Sequence, residues 1–306
     1  MIDRTLVRNG TAGAAPLEVT PEADAKSDWQ SFVLERNGCR LHYWLTGPED
    51  GPVVVLSHGT GMDHRSFAEQ VPHVNGVFRL LLWDIRGHGL SKPMGLFTLE
   101  EAAADLLAIL DHHDFQEVTL VGLSLGAYIS QLVNYHHPER VKALFLTSCT
   151  FITERPGWFR QLKHRLSDWM LALTPYSVVK AQAAFYVSTH SGVYPYIHEA
   201  MDRLSKGELR RVRQAITRTH IPEPGYRFQK PCQLAYGGYS KFKYIKQALQ
   251  ERAERDEHCT VKCIPGAGHN ANQDNPEFYN EILENFLFRV YPYHIPIERL
   301  RSRDWY

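Results

Sequence analysis

Residues 118–128, VTLVGLSLGAY, decide the fold. VTLV is a short aliphatic and β-branched run, the pattern of a buried strand. AYISQLVNYH, residues 127–136, has the apolar spacing of a helix. Between them Gly122-Leu123-Ser124-Leu125-Gly126 turns strand straight into helix. So tight a turn brings the two backbones together, and both flanks must be small. It also lifts the Ser124 hydroxyl off the sheet edge and aims the Leu125 N–H at the same point. A nucleophile beside an oxyanion donor needs that arrangement.

Working outward, short apolar runs alternate with helical patterns. Residues 31–35 and 40–45 read as a hairpin about Asn37-Gly38, a dipeptide suited to the positive φ of a two-residue turn. Residues 53–57 (VVVLS), 78–83 (FRLLLW), 118–121, 141–147, 231–236 and 258–264 read as further strands. Helical patterns cover 99–112, 124–136, 242–255 and 276–290, and Thr98 with Glu101 is placed to form a capping box. This alternation predicts an α/β fold: a doubly wound, mostly parallel, eight-stranded sheet with helices on both faces. Residues 152–228 interrupt it. They show no strand, several aromatics, and helical patterns at 158–173, 175–188, 194–204 and 207–218. A helical insertion between strands is placed to lie as a lid over the strands' C-terminal ends. The expected organisation is a flexible tail at 1–28, a first core segment at 29–151, a lid at 152–228, a second core segment at 229–290 and a C-terminal tail at 291–306. The lid aromatics suit either an apolar or aromatic small molecule or the lid's own core, and core is the expectation.

Three further motifs join the Ser124 turn. Ser57-His58-Gly59-Thr60-Gly61 follows the VVVL strand, Asp84-Ile85-Arg86-Gly87-His88-Gly89-Leu90-Ser91 follows the next, and Gly266-Ala267-Gly268-His269 follows the last. With them the chain resembles the α/β-hydrolase superfamily, its lidded esterase- and lipase-like members, over roughly residues 31–290. The resemblance implies an acyl-transfer hydrolase of a small-molecule ester or lactone that needs no cofactor and no metal. Ser124 would be the nucleophile and His269 the base, with the amides of Thr60 and Leu125 as the oxyanion hole. Asp274-Asn275-Pro276 supplies the acid-x-P continuation usual after this histidine. Asp84, Arg86 and His88 would be architectural, and His58 would shape its loop. One position departs from the pattern. The triad acid is expected in the loop Tyr236-Gly237-Gly238-Tyr239-Ser240, and Ser240 stands at its place. Either Ser240 orients His269 through a neutral hydrogen bond, or an acid such as Glu154 comes from elsewhere, or the chain is an impaired or non-catalytic ligand-binding homologue.

Composition narrows the field. Lys plus Arg and Asp plus Glu are balanced at 34 each, so the chain lacks the basic excess of a nucleic-acid binder. The basic run from Lys206 to Arg213 reads as a solvated helix face. No apolar run approaches a membrane span, so no membrane partner is expected, and the N-terminal residues lack a secretory pattern, which gives a cytoplasmic expectation. The five scattered cysteines read as buried free thiols. No zinc-ligand spacing or dinucleotide fingerprint is present. The expected partner is therefore a small, apolar substrate.

Overall fold

The computed structural model describes residues 17–18, 29–155 and 157–295. Nine strands form one sheet: β1 (Leu17–Glu18), β2 (Gln30–Arg36), β3 (Cys39–Thr46), β4 (Val53–Ser57), β5 (Arg79–Trp83), β6 (Val118–Leu123), β7 (Val141–Thr147), β8 (Cys232–Gly237) and β9 (Cys259–Ile264). Their order is β1-β2-β3-β5-β4-β6-β7-β8-β9. β1, β2 and β3 are antiparallel additions along one edge, and β5 through β9 pair in parallel. The eight expected strands are thus present, with Leu17–Glu18 as a ninth inside the stretch expected to be a flexible tail. The rest of that tail, 1–16 and 19–28, and residues 296–306 lie outside the described residues.

The hairpin forms where the turn chemistry places it: Asn37 and Gly38 have φ of 47° and 71°, the positive values that a two-residue turn between right-twisted strands demands. β4, β5 and β6 are apolar on both faces because helices cover both. α2 (Leu99–His112) and α3 (Leu125–His136) pack on one side. The four-residue α1 (Val71–Val74) and α10 (Pro276–Val290) pack on the other. Burial of two such aliphatic layers, at about 25 cal/mol per Å² of apolar surface, is the main drive for the fold.

At α2 the Thr98 hydroxyl accepts the Glu101 amide at 3.0 Å, but the box is only half formed. The Glu101 carboxylate turns instead to Arg36 and Asn37, at 2.7 and 2.6 Å, and to Arg86 at 3.1 Å; two guanidinium partners outcompete one neutral backbone N–H.

Between β7 and β8 the chain forms only helices: α4 (Trp158–Leu173), α5 (Tyr176–Val187), α6 (Tyr194–Asp202) and α7 (Lys206–Arg218). α8 (Lys243–Arg255) and the short α9 (Ala271–Asp274) complete the helices. Three expectations fail in detail. The insertion's aromatics are divided: Trp158, Trp169, Phe185 and Tyr186 are more than half exposed, whereas Phe228 is buried and Tyr176, Tyr194, Tyr196 and Tyr226 pack against the core. The run from Lys206 to Arg213 is not simply solvated: Lys206 Nζ donates to the Ala172 and Thr174 carbonyls at 2.7 Å, closing the C-terminal end of α4. Cys39, Cys149, Cys232 and Cys259 are buried free thiols, but Cys263, near the end of the edge strand β9, is exposed. Among the described residues, no helix is long and apolar enough to cross a membrane.

Candidate active site

Ser124 sits between the end of β6 and the start of α3 with φ 50° and ψ −103°, a backbone conformation that L-residues adopt rarely and at a cost of about 1–3 kcal/mol. The turn is held by two backbone bonds: the Ser124 amide donates to the Thr147 carbonyl at 2.9 Å, and the Gly126 amide to the His58 carbonyl at 3.0 Å. The flanking glycines are required by space. A Cβ at Gly126 would lie 2.1 Å from the Ser57 carbonyl oxygen, and one at Gly122 would lie 2.5 Å from the Ala127 nitrogen. Leu125 is the first residue of α3, so its amide has no carbonyl within the helix to meet and is available to a ligand oxygen.

The loop after β4 approaches from the other side. Thr60 lines the same cavity as Ser124. His58 beneath it is wholly buried: its Nε2 accepts the Ile85 amide at 3.0 Å, and its Nδ1 lies 2.8 Å from the Gly59 carbonyl. With both nitrogens engaged, His58 ties the loop after β4 to the loop after β5 and has none left for substrate. Burial pushes its pKa down, which keeps the ring neutral and Nδ1 protonated, as both bonds require. The loop after β5 is a scaffold of the same kind. Burial would raise the Asp84 carboxyl, but His64, 2.9 Å away, with His58 and the Leu90 amide, brings it down to about 2. Arg86 grips Asp105 with two bonds, at 2.5 and 2.6 Å. A Cβ at Gly89 would strike the Asp84 carboxylate at 2.1 Å.

His269 lines the cavity from the loop after β9. Its ring packs edge-on against Phe242, centroids 4.9 Å apart, and it is only 9% exposed. Burial lowers its pKa to about 4, and Asp274 opposes that only in part. Nδ1 is buried with no hydrogen-bond partner. Neither residue weighed as its orienter reaches it. The Ser240 hydroxyl accepts the Phe242 amide at 3.4 Å. Glu154 does line the cavity, but its carboxylate is ion-paired with Arg252 at 2.9 Å and lies 3.7 Å from Arg255.

Several residues given no role in the sequence analysis also shape the site. Ser148, at φ 55°, follows β7 and donates its hydroxyl to the His269 carbonyl at 2.7 Å. Asp274 accepts the Gly268 amide at 2.7 Å and the Thr189 amide at 2.9 Å, and also the Ser188 hydroxyl. It therefore pins the end of α5 to the loop that carries His269. Tyr128 and Thr150 share a 2.8 Å bond between hydroxyls on the cavity wall. An acid followed by x-Pro hints at Asp274, while a serine after a strand gives no sign of Ser148.

The cavity holds 580 Å³, the size of a small-molecule site. Met62, Phe151, Leu171, Ile197 and Phe242 make its walls largely apolar. No group of three or more His, Cys, Asp or Glu able to hold a metal occurs among the described residues.

Residues 52–256 match the α/β hydrolase fold family. The chain is 22% identical to 3-oxoadipate enol-lactonase 2 of Acinetobacter baylyi over 262 residues, covering 84% of this chain and 96% of the relative. It is 23% identical to epoxide hydrolase 2 of Caenorhabditis elegans, covering 88% and 83%. Among solved structures it resembles the enol-lactonase of Burkholderia xenovorans, with a TM-score of 0.72, 20% identity and coverage of 83% and 99%. It resembles a thermophilic esterase of Thermogutta terrifontis with the same TM-score, 18% identity and coverage of 86% and 99%. The matched span holds the strained serine turn and the loop that carries Thr60, and the chain belongs to the α/β-hydrolase fold family.

Proposed function

We propose that this protein is a serine hydrolase of small-molecule esters or lactones, with Ser124 as nucleophile and His269 as base. The observation that carries the reading is the Ser124 turn: a positive φ on a non-glycine residue, held by flanks that admit no Cβ, opening into a cavity that His269 shares. Strain of this kind persists only where the surroundings over-determine it.

In the reaction, Ser124 Oγ attacks the substrate carbonyl carbon while its proton passes to His269 Nε2. The carbonyl electrons move onto oxygen, and the amides of Thr60 and Leu125 hold the oxyanion. Collapse breaks the ester C–O bond, and His269 returns the proton to the departing alkoxide. Water, deprotonated by the same imidazole, then attacks the acyl carbon; the C–Oγ bond to Ser124 breaks, His269 returns the proton to Oγ, and the acid leaves. In a lactone, alcohol and acid are the two ends of one product. The helices α4–α7 serve as the lid that sets the substrate, and the apolar walls favour an uncharged, apolar acyl or ring portion. Relatives named as enol-lactonases and an esterase support this substrate class. Epoxide opening, which the name of another relative brings in, normally uses a carboxylate where Ser124 stands.

One observation favours a second reading, a binding protein that has kept the pocket: His269 Nδ1 has no acceptor, so an imidazolium has only the through-space charge of Asp274 to favour it. A fluorophosphonate probe separates the two. The hydrolase reading expects one adduct per chain on Ser124, absent in Ser124→Ala and strongly slowed in His269→Ala. An unlabelled Ser124 in folded protein establishes the binding protein.

A further inference from the structure

α4 is turned inside out. Trp158, Leu162, Leu166, Trp169 and Leu173 recur at helical spacing, so they form a single stripe. In an ordinary surface helix such a stripe faces the core. Here every one of the five is more than half exposed, as is Met170 beside them. The helix is held by other faces. Arg213 of α7 donates to Ser167 at 2.7 Å and meets Asp168 at 3.4 Å, Lys206 closes its end, and Leu171 is buried. An exposed stripe of this size on a protein with an otherwise well-buried core marks a contact surface.

Charge points to the occupant. The chain is neutral as a whole, yet residues 152–228 carry twelve Lys and Arg against six Asp and Glu. Arg155 and Arg165 are exposed beside the stripe. A helix with tryptophan and leucine on one side and flanking cations suits the headgroup layer of an anionic bilayer, where it lies in the plane of the surface. A second copy fits less well: two-fold pairing of antiparallel stripes would set Arg165 near its own symmetry mate at the helix centre. We infer that the exposed face of α4 docks this protein on anionic lipid surfaces. That no helix among the described residues is long and apolar enough to span a membrane does not bear on this, because a surface-lying helix needs no span.

The stripe also reaches the cavity. Leu166 and Met170 are both exposed and part of its lining. A docked molecule therefore presents the cavity mouth to lipid, and an apolar ligand passes from bilayer to Ser124 along α4 with little exposure to water. That route rests on the hydrolase reading above; the docking does not.

Flotation of the full chain with vesicles tests it. Wild type is expected to float with vesicles of equal parts phosphatidylcholine and phosphatidylglycerol, with blue-shifted tryptophan emission, and to release at high salt. The double variant Trp169→Ser, Leu173→Ser is expected to lose flotation without a fall in thermal midpoint, since it removes only exposed apolar groups. Arg165→Gln is expected to weaken binding about fivefold and provides the test if the double variant fails to fold. Wild type that stays unbound with these vesicles overturns the inference. So does a concentration-dependent dimer, dissolved by Trp169→Ser, that shows no vesicle binding.

Discussion

The two sides of the cavity are built to different standards. On the Ser124 side nearly every group is fixed: the elbow by two backbone bonds and two glycines without room for a methyl, the loop beneath Thr60 by both nitrogens of His58, the next loop by Asp84 and Arg86. On the His269 side the main chain is equally well held, by Ser148 and Asp274, but the imidazole is not. The difference teaches that position and polarisation of the base are separable. The fold delivers the ring to the cavity through backbone contacts, while no group accepts a hydrogen bond from its Nδ1 and Asp274 favours its charged form only in part.

The largest expected effect comes from breaking the well-built side. Gly126→Ala drives a methyl into the Ser57 carbonyl and is expected to cost more than about 4 kcal/mol, read as insolubility or a collapsed thermal midpoint; a stable, probe-reactive variant would show that the elbow is looser than described. Next comes completing the poorly built side. Ser240→Asp places a carboxylate at the position where the family's acid is expected, and ester turnover should rise by up to about 10⁴-fold, measured on a p-nitrophenyl ester. An unchanged rate would mean that the emptied position is not what limits the base.

Acid should expose the same asymmetry more gently. Burial lowers His269 to about 4 and His88 to about 3, below the unperturbed 6.5. Between those values the unfolded chain binds protons that the folded chain refuses, so stability falls as pH drops below 6.5, by about 1.4 kcal/mol per pH unit for each histidine. Urea unfolding at about pH 7 and about pH 5 should differ by a few kcal/mol, with the higher pH more stable. The smallest effect is expected from Ser240→Ala, because its hydroxyl serves the Phe242 amide and not His269; turnover should stay within about twofold.

Much of this was legible in the residues. The Asn37-Gly38 hairpin, the Ser124 elbow, the strand runs and the four helices of the insertion follow from periodicity and turn chemistry, which act locally. What periodicity cannot state is which way a stripe faces, and so Trp158 and Trp169 of α4, expected inward, point outward. Ser240 marked the gap in the site by position. The work of Ser148, a bond to a backbone carbonyl 121 residues away, leaves no pattern in sequence; the acid-x-Pro spacing points to Asp274 but not to the Ser188 and Thr189 groups that it holds. Glu154 shows the same limit from the other side: an acid at a plausible place, captured by Arg252 on a helix about a hundred residues on.

The central claim is that His269 is a buried base without a carboxylate partner. The direct measurement is its titration by NMR, through the imidazole nitrogen shifts of ¹⁵N-labelled protein against His269→Gln. The account predicts a neutral ring down to a pKa of about 4, and an upward move in Ser240→Asp. A wild-type pKa at or above the unperturbed value of about 6.5 would reveal an acid on Nδ1 and contradict it.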